Sequence, residues 1–225
     1  MYKACIFDLD GTLTDTLDSL TFSVNGTLRE MDLPEITREQ CRSFVGNGSK
    51  VLLEKSLKAS GDEQLLRIGE ALERYERIFK TGCTYHVVPY EGIRELLEDL
   101  KAAGIRLAVL SNKPDENAHS VVEGIFGRDC FDHVQGQKEG VPRKPDPAAA
   151  LEIARVLGAL PSETIYIGDS EVDIATGTAA KMKTIGVSWG FRDREVLLEA
   201  GAGLIIDSPK EIMELIKDRE VESHE

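Results

Sequence analysis

The sequence predicts an α/β protein, a doubly wound parallel sheet whose first strand is separated from the others by an inserted all-helical segment. Three observations predict it. An apolar run, Tyr2 to Phe7, leads directly into two aspartates one residue apart. From about Thr14 to Thr81 the apolar residues recur at helical spacing, with no convincing strand. After Pro89, short apolar runs alternate with helical patterns, which implies parallel βαβ units with helices on both faces of a sheet.

Taken in order, the first strand spans 2–7. Leu17, Leu20, Val24, Leu28 and Met31 recur at steps of three and four and form one face of a helix. Val51, Leu52 and Leu57 predict a shorter helix after Gly46-Asn47-Gly48, and Leu65, Ile68, Leu72, Tyr75 and Phe79 a second long one. Helix follows over 93–103, strand over 105–110, helix over 114–126 and 148–157, strand over 164–167, helix over 171–180, and strands over 184–187 and 204–206. The expected division is a core of residues 1–14 and 82–225 with a helical domain of residues 15–81. The tail 218–225 reads as frayed.

With 225 residues the chain can bury a full core and still hold an inserted module. Hydrophobic residues at 41% and charged residues at 30% are ordinary for a globular protein, so disorder is not expected. The formal net charge of −13 argues against nucleic acid and anionic membranes as partners. A small anionic substrate would need local cations, backbone amides or a metal. Cys5, Cys41, Cys83 and Cys130 are scattered without Cys-x-x-Cys spacing and read as reduced thiols. No leader pattern opens the chain, and no stretch approaches the ~20 apolar residues of a membrane span, so a cytoplasmic protein is expected. His86, His119, His133 and His224 are unpatterned and expected to be structural or surface residues. No seam encodes an oligomer, and monomer or homodimer are both open.

Residues two apart in an extended segment point to one side, so Asp8 and Asp10 can share a small volume. Two carboxylates that close repel unless a cation lies between them or one is protonated, which allows metal ligation or acid/base work beside a nucleophile. Gly11 permits a sharp turn behind the pair, and Thr12 offers a hydroxyl and an N–H. Three further groups follow strands or open helices on the sheet edge where open α/β sheets bind ligands. Ser111-Asn112-Lys113-Pro114 either caps a helix or presents donors to a phosphate. In Pro142-Arg143-Lys144-Pro145-Asp146-Pro147 two prolines fix Lys144, while Asp146 and Pro147 read as helix cap and first residue. Gly168-Asp169-Ser170-Glu171-Val172-Asp173 gathers acids at a helix start, with Asp169 read as the cap; a divalent cation would relieve their repulsion, and hard oxygen donors suit Mg²⁺.

Jointly, Asp8-Leu9-Asp10-Gly11-Thr12, Ser111-Asn112, Lys144-Pro145 and Gly168 to Asp173 resemble the four motifs of the haloacid dehalogenase superfamily across essentially the whole chain. Phe44-Val45-Gly46-Asn47-Gly48-Ser49 and Ser188-Trp189-Gly190-Phe191 resemble segments of its phosphoglycolate phosphatase-like members. The resemblance implies a Rossmann-like core with a helical (C1-type) cap, and a Mg²⁺-dependent phosphatase acting on a small phosphorylated metabolite. It implies Asp8 as nucleophile and Asp10 as acid/base. Metal ligands would be Asp8, the Asp10 carbonyl and Asp169, with Asp173 direct or through water. Thr12, Ser111, Asn112 and Lys144 would contact the phosphoryl group, and Gly46, Asn47 and Gly48 of the cap loop would close over the substrate. Pyrophosphatase and β-phosphoglucomutase-like chemistry share this apparatus; a phosphonoacetaldehyde hydrolase would lack the second aspartate. In another class, a receiver-type phosphoacceptor needs neither Asp10 nor a cap, and a catalytically dead binding protein would not need every motif residue intact.

Overall fold

The computed structural model describes residues 1–222, with side chains through residue 217; His224 and the last residues of the tail lie outside the described residues. The chain starts with β1 (Ala4–Phe7) and a two-residue strand β2 (Thr14–Asp15), followed by α1 (Leu17–Glu30), α2 (Arg38–Phe44), α3 (Gly48–Ala59) and α4 (Ile68–Gly82). It continues through β3 (Val88–Pro89), α5 (Ile93–Ala102), β4 (Arg106–Pro114), α6 (Asp115–Phe126), β5 (His133–Gln137) and α7 (Ala148–Val156). A short 3-10 turn (Pro161–Glu163) leads into β6 (Thr164–Gly168), α8 (Glu171–Ala179), β7 (Lys183–Val187), α9 (Arg194–Glu199), β8 (Ile205–Ile206) and α10 (Lys210–Glu222).

Among the described residues the main sheet has six strands in the order β5-β4-β1-β6-β7-β8, and every pairing in it is parallel. β1 lies between β4 and β6, where the direction of winding reverses, so its carboxyl end opens into the crevice that such sheets use for ligands. Side chains alternate across the sheet as strand geometry requires. Cys5, Phe7, Leu107, Val109, Ile165 and Ile167 pack on one face with the apolar stripes of α5, α6 and α10, and that core runs on without a break into α1–α4. Ile6, Ala108, Leu110 and Tyr166 pack on the other face against Ala150, Ile153 and Ala154 of α7.

The sheet and the helical segment agree with the sequence pattern in type, and differ in several places. Thr14–Asp15, expected in the helical segment or at its border, pairs antiparallel with Val88–Pro89, so the two connections to the helical segment form a small sheet of their own. Leu65 lies outside α4, with a φ of 55°, because the Asp62 carboxylate accepts from the N–H groups of Leu66 and Arg67 and turns the chain there. α2 is started by a reciprocal cap, in which Gln40 N–H donates to Thr37 Oγ1 at 3.1 Å and Thr37 N–H to Gln40 Oε1 at 2.8 Å. β4 does not end at Leu110 but runs to Pro114 with an irregularity against β5, and it carries Ser111, Asn112 and Lys113 in extended backbone to the mouth of the crevice. α7 starts at Ala148, where the N–H bonds Asp146 Oδ1 at 2.9 Å, so Pro147 stands ahead of the helix.

Candidate active site

The chain leaves β1 with Asp8 N–H bonded to the Ile167 carbonyl at 2.9 Å, which fixes the first aspartate against the neighbouring strand. Gly11, at a φ of 91°, turns the backbone, and its N–H donates to the Thr14 carbonyl. Asp8 and Asp10 face one cleft that opens to solvent, together with Ser111, Asn112, Lys113 and Lys144 of the sheet side. Gly46, Gly48, Ser49, Leu52, Tyr75 and Phe79 close it from the helical side.

Each acid of the pair meets its own lysine. Lys144 Nζ lies 2.9 Å from Asp8 Oδ1 and 2.7 Å from Asp173 Oδ1, with its side chain only 3% exposed. Lys113 Nζ lies 2.9 and 3.1 Å from the two oxygens of Asp10. The Asp173 carboxylate is completely buried, and its second oxygen accepts from the N–H and hydroxyl of Ser170, the residue at the N-cap position of α8. Asp169, which the sequence suggests as the cap, instead accepts from the Thr12 hydroxyl at 3.1 Å and Phe191 N–H at 2.8 Å. A Cβ at Gly11 or at Gly190 would overlap Asp169, so these two glycines make the room in which that acid stands.

Of the residues singled out from sequence, Asp8, Asp10, Ser111, Asn112, Lys144, Gly46 and Gly48 line the cleft. Asp169 and Asp173 stand with Asp8 at its floor, the three offering carboxylate oxygens within 4.8 Å of one another. Thr12 and Asn47 are not among the lining residues. Thr12 is fully buried, its hydroxyl taken by Asp169 and its carbonyl by Trp189 Nε1 at 3.0 Å. Asn112 uses its amide to clamp the Lys144 peptide, accepting from Lys144 N–H and donating to Lys144 O, and it also donates to Gly46 O. His86, His119 and His133 take no part in the lining.

The electrostatics follow from burial. Burial, then repulsion from Asp173, pushes the Asp8 carboxyl up to about 7 against the pull of Lys144. Burial, then Asp173 and Asp8, pushes Asp169 up to about 8. Burial works against the Lys144 ammonium, but Asp173 and Asp8 outweigh it and hold that lysine charged well above its ordinary value. Asp8 Oδ1 is buried and, its ion pair with Lys144 aside, has no hydrogen-bond donor aligned on it. Three crowded carboxylates, two of them raised and one with an oxygen left over, fit a hard divalent cation bound by oxygen donors.

Sequence reasoning missed Lys113, Tyr75 and Phe79 of the lining, and Arg192. Lys113 follows the Ser111-Asn112 pair directly, and continuing the strand through it would have exposed the residue. Arg192 gives no such signal, since its partners lie far away in sequence: it donates from Nη1 to Arg42 O at 3.1 Å, from Nη2 to Val45 O, and from Nε to Glu171 at 2.9 Å.

Known proteins match this arrangement along nearly the whole chain. The haloacid dehalogenase-like hydrolase family profile matches residues 5–187. A phosphoglycolate phosphatase of Colwellia psychrerythraea is 30% identical over 96% of this chain and 97% of its own length. That of Rhodospirillum rubrum is 34% identical over 92% and 88%. The crystal structure of a phosphoglycolate phosphatase candidate from Lactobacillus delbrueckii subsp. bulgaricus superposes with a TM-score of 0.87 at 32% identity, over 96% of this chain and 98% of that one. Among the described residues no helix is long and apolar enough to cross a membrane. The chain belongs to the haloacid dehalogenase-like hydrolase family and is a phosphatase-type enzyme of its phosphoglycolate phosphatase-like group.

Proposed function

We infer that the protein hydrolyses a small phosphomonoester of the phosphoglycolate type through a phosphorylated Asp8, with residues 15–81 acting as a cap over the site. The observation that supports this reading most directly is the separate pairing of the two acids, Asp8 with Lys144 and Asp10 with Lys113, in one cleft. Asp8 is held ready for attack on phosphorus while Asp10 is turned toward a different cation, which suits two carboxylates with different tasks.

In the first step an Asp8 oxygen forms the bond to phosphorus as the ester P–O bond breaks, and the proton shared between Lys113 and Asp10 passes through the Asp10 carboxyl to the departing alcohol oxygen. In the second, Asp10 takes a proton from water as that water attacks the phosphorus, which releases phosphate and restores Asp8. Lys144 remains charged throughout and offsets the approach of a carboxylate to a phosphate dianion. Ser111 faces the cleft to bond the phosphoryl oxygens, and Asn112 contributes by fixing the Lys144 peptide. Asp8, Asp169 and the Asp10 carbonyl would hold Mg²⁺, which supplies positive charge at the phosphoryl oxygens when bound. Asp173 has both oxygens engaged and serves by holding Lys144. The cleft is small and walled by Leu20, Val45, Leu52, Tyr75 and Phe79, which favours a compact metabolite.

Phosphate release from p-nitrophenyl phosphate with Mg²⁺ should occur in wild type and vanish in Asp8→Asn. Over about a hundred phosphorylated metabolites, 2-phosphoglycolate should rank near the top in kcat/KM. A far higher rate on pyrophosphate or hexose phosphates would overturn the substrate, and no turnover of any phosphoester would overturn the reaction.

A further inference from the structure

Arg143 has no role in the chemistry above; its side chain is exposed, outside the lining of the cleft and beside the glycine-rich loop. It immediately precedes Lys144, and its guanidinium reaches across to the glycine-rich loop of the helical side: a Cβ placed on Gly48 would lie 3.0 Å from Arg143 Nη1. Gly48 lines the cleft, so the guanidinium stands at the rim where the two halves meet. The relation between that loop and the segment carrying Arg143 is fixed, because Asn112 bonds both Gly46 O and Lys144 O at 3.2 Å.

Among the residues whose side chains are described, through 217, Arg143 is also the only arginine whose guanidinium makes no hydrogen bond, ion pair or ring contact, in a chain with a net charge of −13. The cations within the cleft have no charge to spare. Lys144 is shared by Asp8 and Asp173, and Lys113 is bound by Asp10. The helical side of the cleft is a largely apolar wall, with Leu52, Tyr75 and Phe79. A neutral alcohol part would need no cation there, whereas a carboxylate entering that wall would need one. A planar guanidinium suits a carboxylate through paired hydrogen bonds.

Resting on the phosphatase reading above, we propose that Arg143 is the specificity-determining residue of the cleft, pairing with a carboxylate carried by the alcohol part of the phosphomonoester. The enzyme thus selects phosphoesters of short hydroxy acids over neutral phosphoesters of equal size.

The test compares kcat/KM for 2-phosphoglycolate and ethyl phosphate, in wild type, Arg143→Gln and Arg143→Lys. Wild type should favour the carboxylated ester. In Arg143→Gln the ratio of the two values should fall about tenfold, mainly through KM for 2-phosphoglycolate, and Arg143→Lys should recover part of it. An unchanged ratio in Arg143→Gln, or a wild type with no preference for the carboxylated ester, overturns the role of Arg143 while leaving the phosphatase reaction standing. Release of phosphate from neither ester by a wild type that still hydrolyses p-nitrophenyl phosphate overturns the selectivity and leaves the reaction standing.

Discussion

Lys113 and Asp10 meet beneath an aromatic ring of the helical segment: the Lys113 ammonium lies 2.9 and 3.1 Å from the Asp10 oxygens and 4.8 Å from the centre of Phe79. Their side chains are 1% and 13% exposed, so the pair is nearly out of water. It aims the Asp10 carboxylate away from Asp8 and joins the sheet side of the cleft to α4. Lys113→Met keeps most of the stem's packing and removes the charge, leaving Asp10 buried without its partner. The expected outcome is a loss of about 3 kcal/mol, with kcat falling more than KM changes. Thermal unfolding and steady-state kinetics check it; a wild-type Tm and kcat would mean the pair is idle.

The acid cluster makes stability depend on pH in a direction opposite to that of ordinary surface carboxylates. Asp8 titrates near 7 and Asp169 near 8 in the folded protein, against an ordinary value of 3.8 for each. Between the ordinary and the raised values the folded state holds more protons than the unfolded one. Metal-free stability therefore falls as pH rises through that window. A divalent cation bound by these acids would take over the role of the protons. In EDTA, Tm should drop between about pH 5 and pH 8, and the rise in Tm produced by Mg²⁺ should widen over the same range. Asp169→Asn should narrow that rise. A Tm in EDTA that is flat or increases across this range would contradict the coupling.

The parallel sheet and the acids at its edge were legible because burial imposes a pattern: Ala4–Phe7, Leu107–Leu110 and Ile165–Ile167 are buried continuously and read as apolar runs. β5 was hidden because an edge strand of sequence His-Val-Gln-Gly-Gln, mostly half-buried, carries no apolar run. α2, α9 and α10 are held by few buried residues, Cys41, Leu197, and Ile212 with Ile216, too few to set a period. In the site, Asp8 and Asp169 directly follow apolar strands and could be found from that position, while Lys144 is marked by the prolines that flank it ahead of α7. The contacts of Arg192 with Arg42 and Val45 span about 150 residues, and no local spacing encodes them.

Those contacts are reciprocal. Arg192 grips the carbonyls of Arg42 and Val45, while Arg42 donates to Gly190 O at 3.4 Å and to Asp193 Oδ1 at 3.2 Å. The end of α2 and the loop after β7 are thereby laced together, next to the glycine-rich loop. Arg192→Met should loosen both loops and raise KM about tenfold with a smaller change in kcat. Trp189 is the only tryptophan and lies in the same loop, bonded to Thr12 O, so its emission should shift to longer wavelength. Glu171→Gln keeps both carbonyl contacts and should change either quantity far less. Equal effects of the two variants would assign the role to the Glu171 ion pair instead.

Gly190 tests whether the position of Asp169 governs metal binding. Its φ is ordinary, so the requirement for glycine is steric: a Cβ there would overlap the Asp169 Cβ and crowd Gly11 O. The following N–H, of Phe191, holds the Asp169 carboxylate at 2.8 Å, so the same loop both confines and grips that acid. In Gly190→Ala the loop or the acid must shift. Overpacking should cost about 1–3 kcal/mol, while a displaced Asp169 should lower kcat/KM about a hundredfold and abolish most of the Mg²⁺-induced rise in Tm. Gly69→Ala is the contrast, since a Cβ there meets nothing within 4 Å inside α4. It should add about 0.5–1 kcal/mol of stability and leave the response to Mg²⁺ intact. If Gly190→Ala lost stability and yet kept its full response to Mg²⁺, Asp169 would be a structural acid and the cation would have to be held without it, by Asp8 and the Asp10 carbonyl.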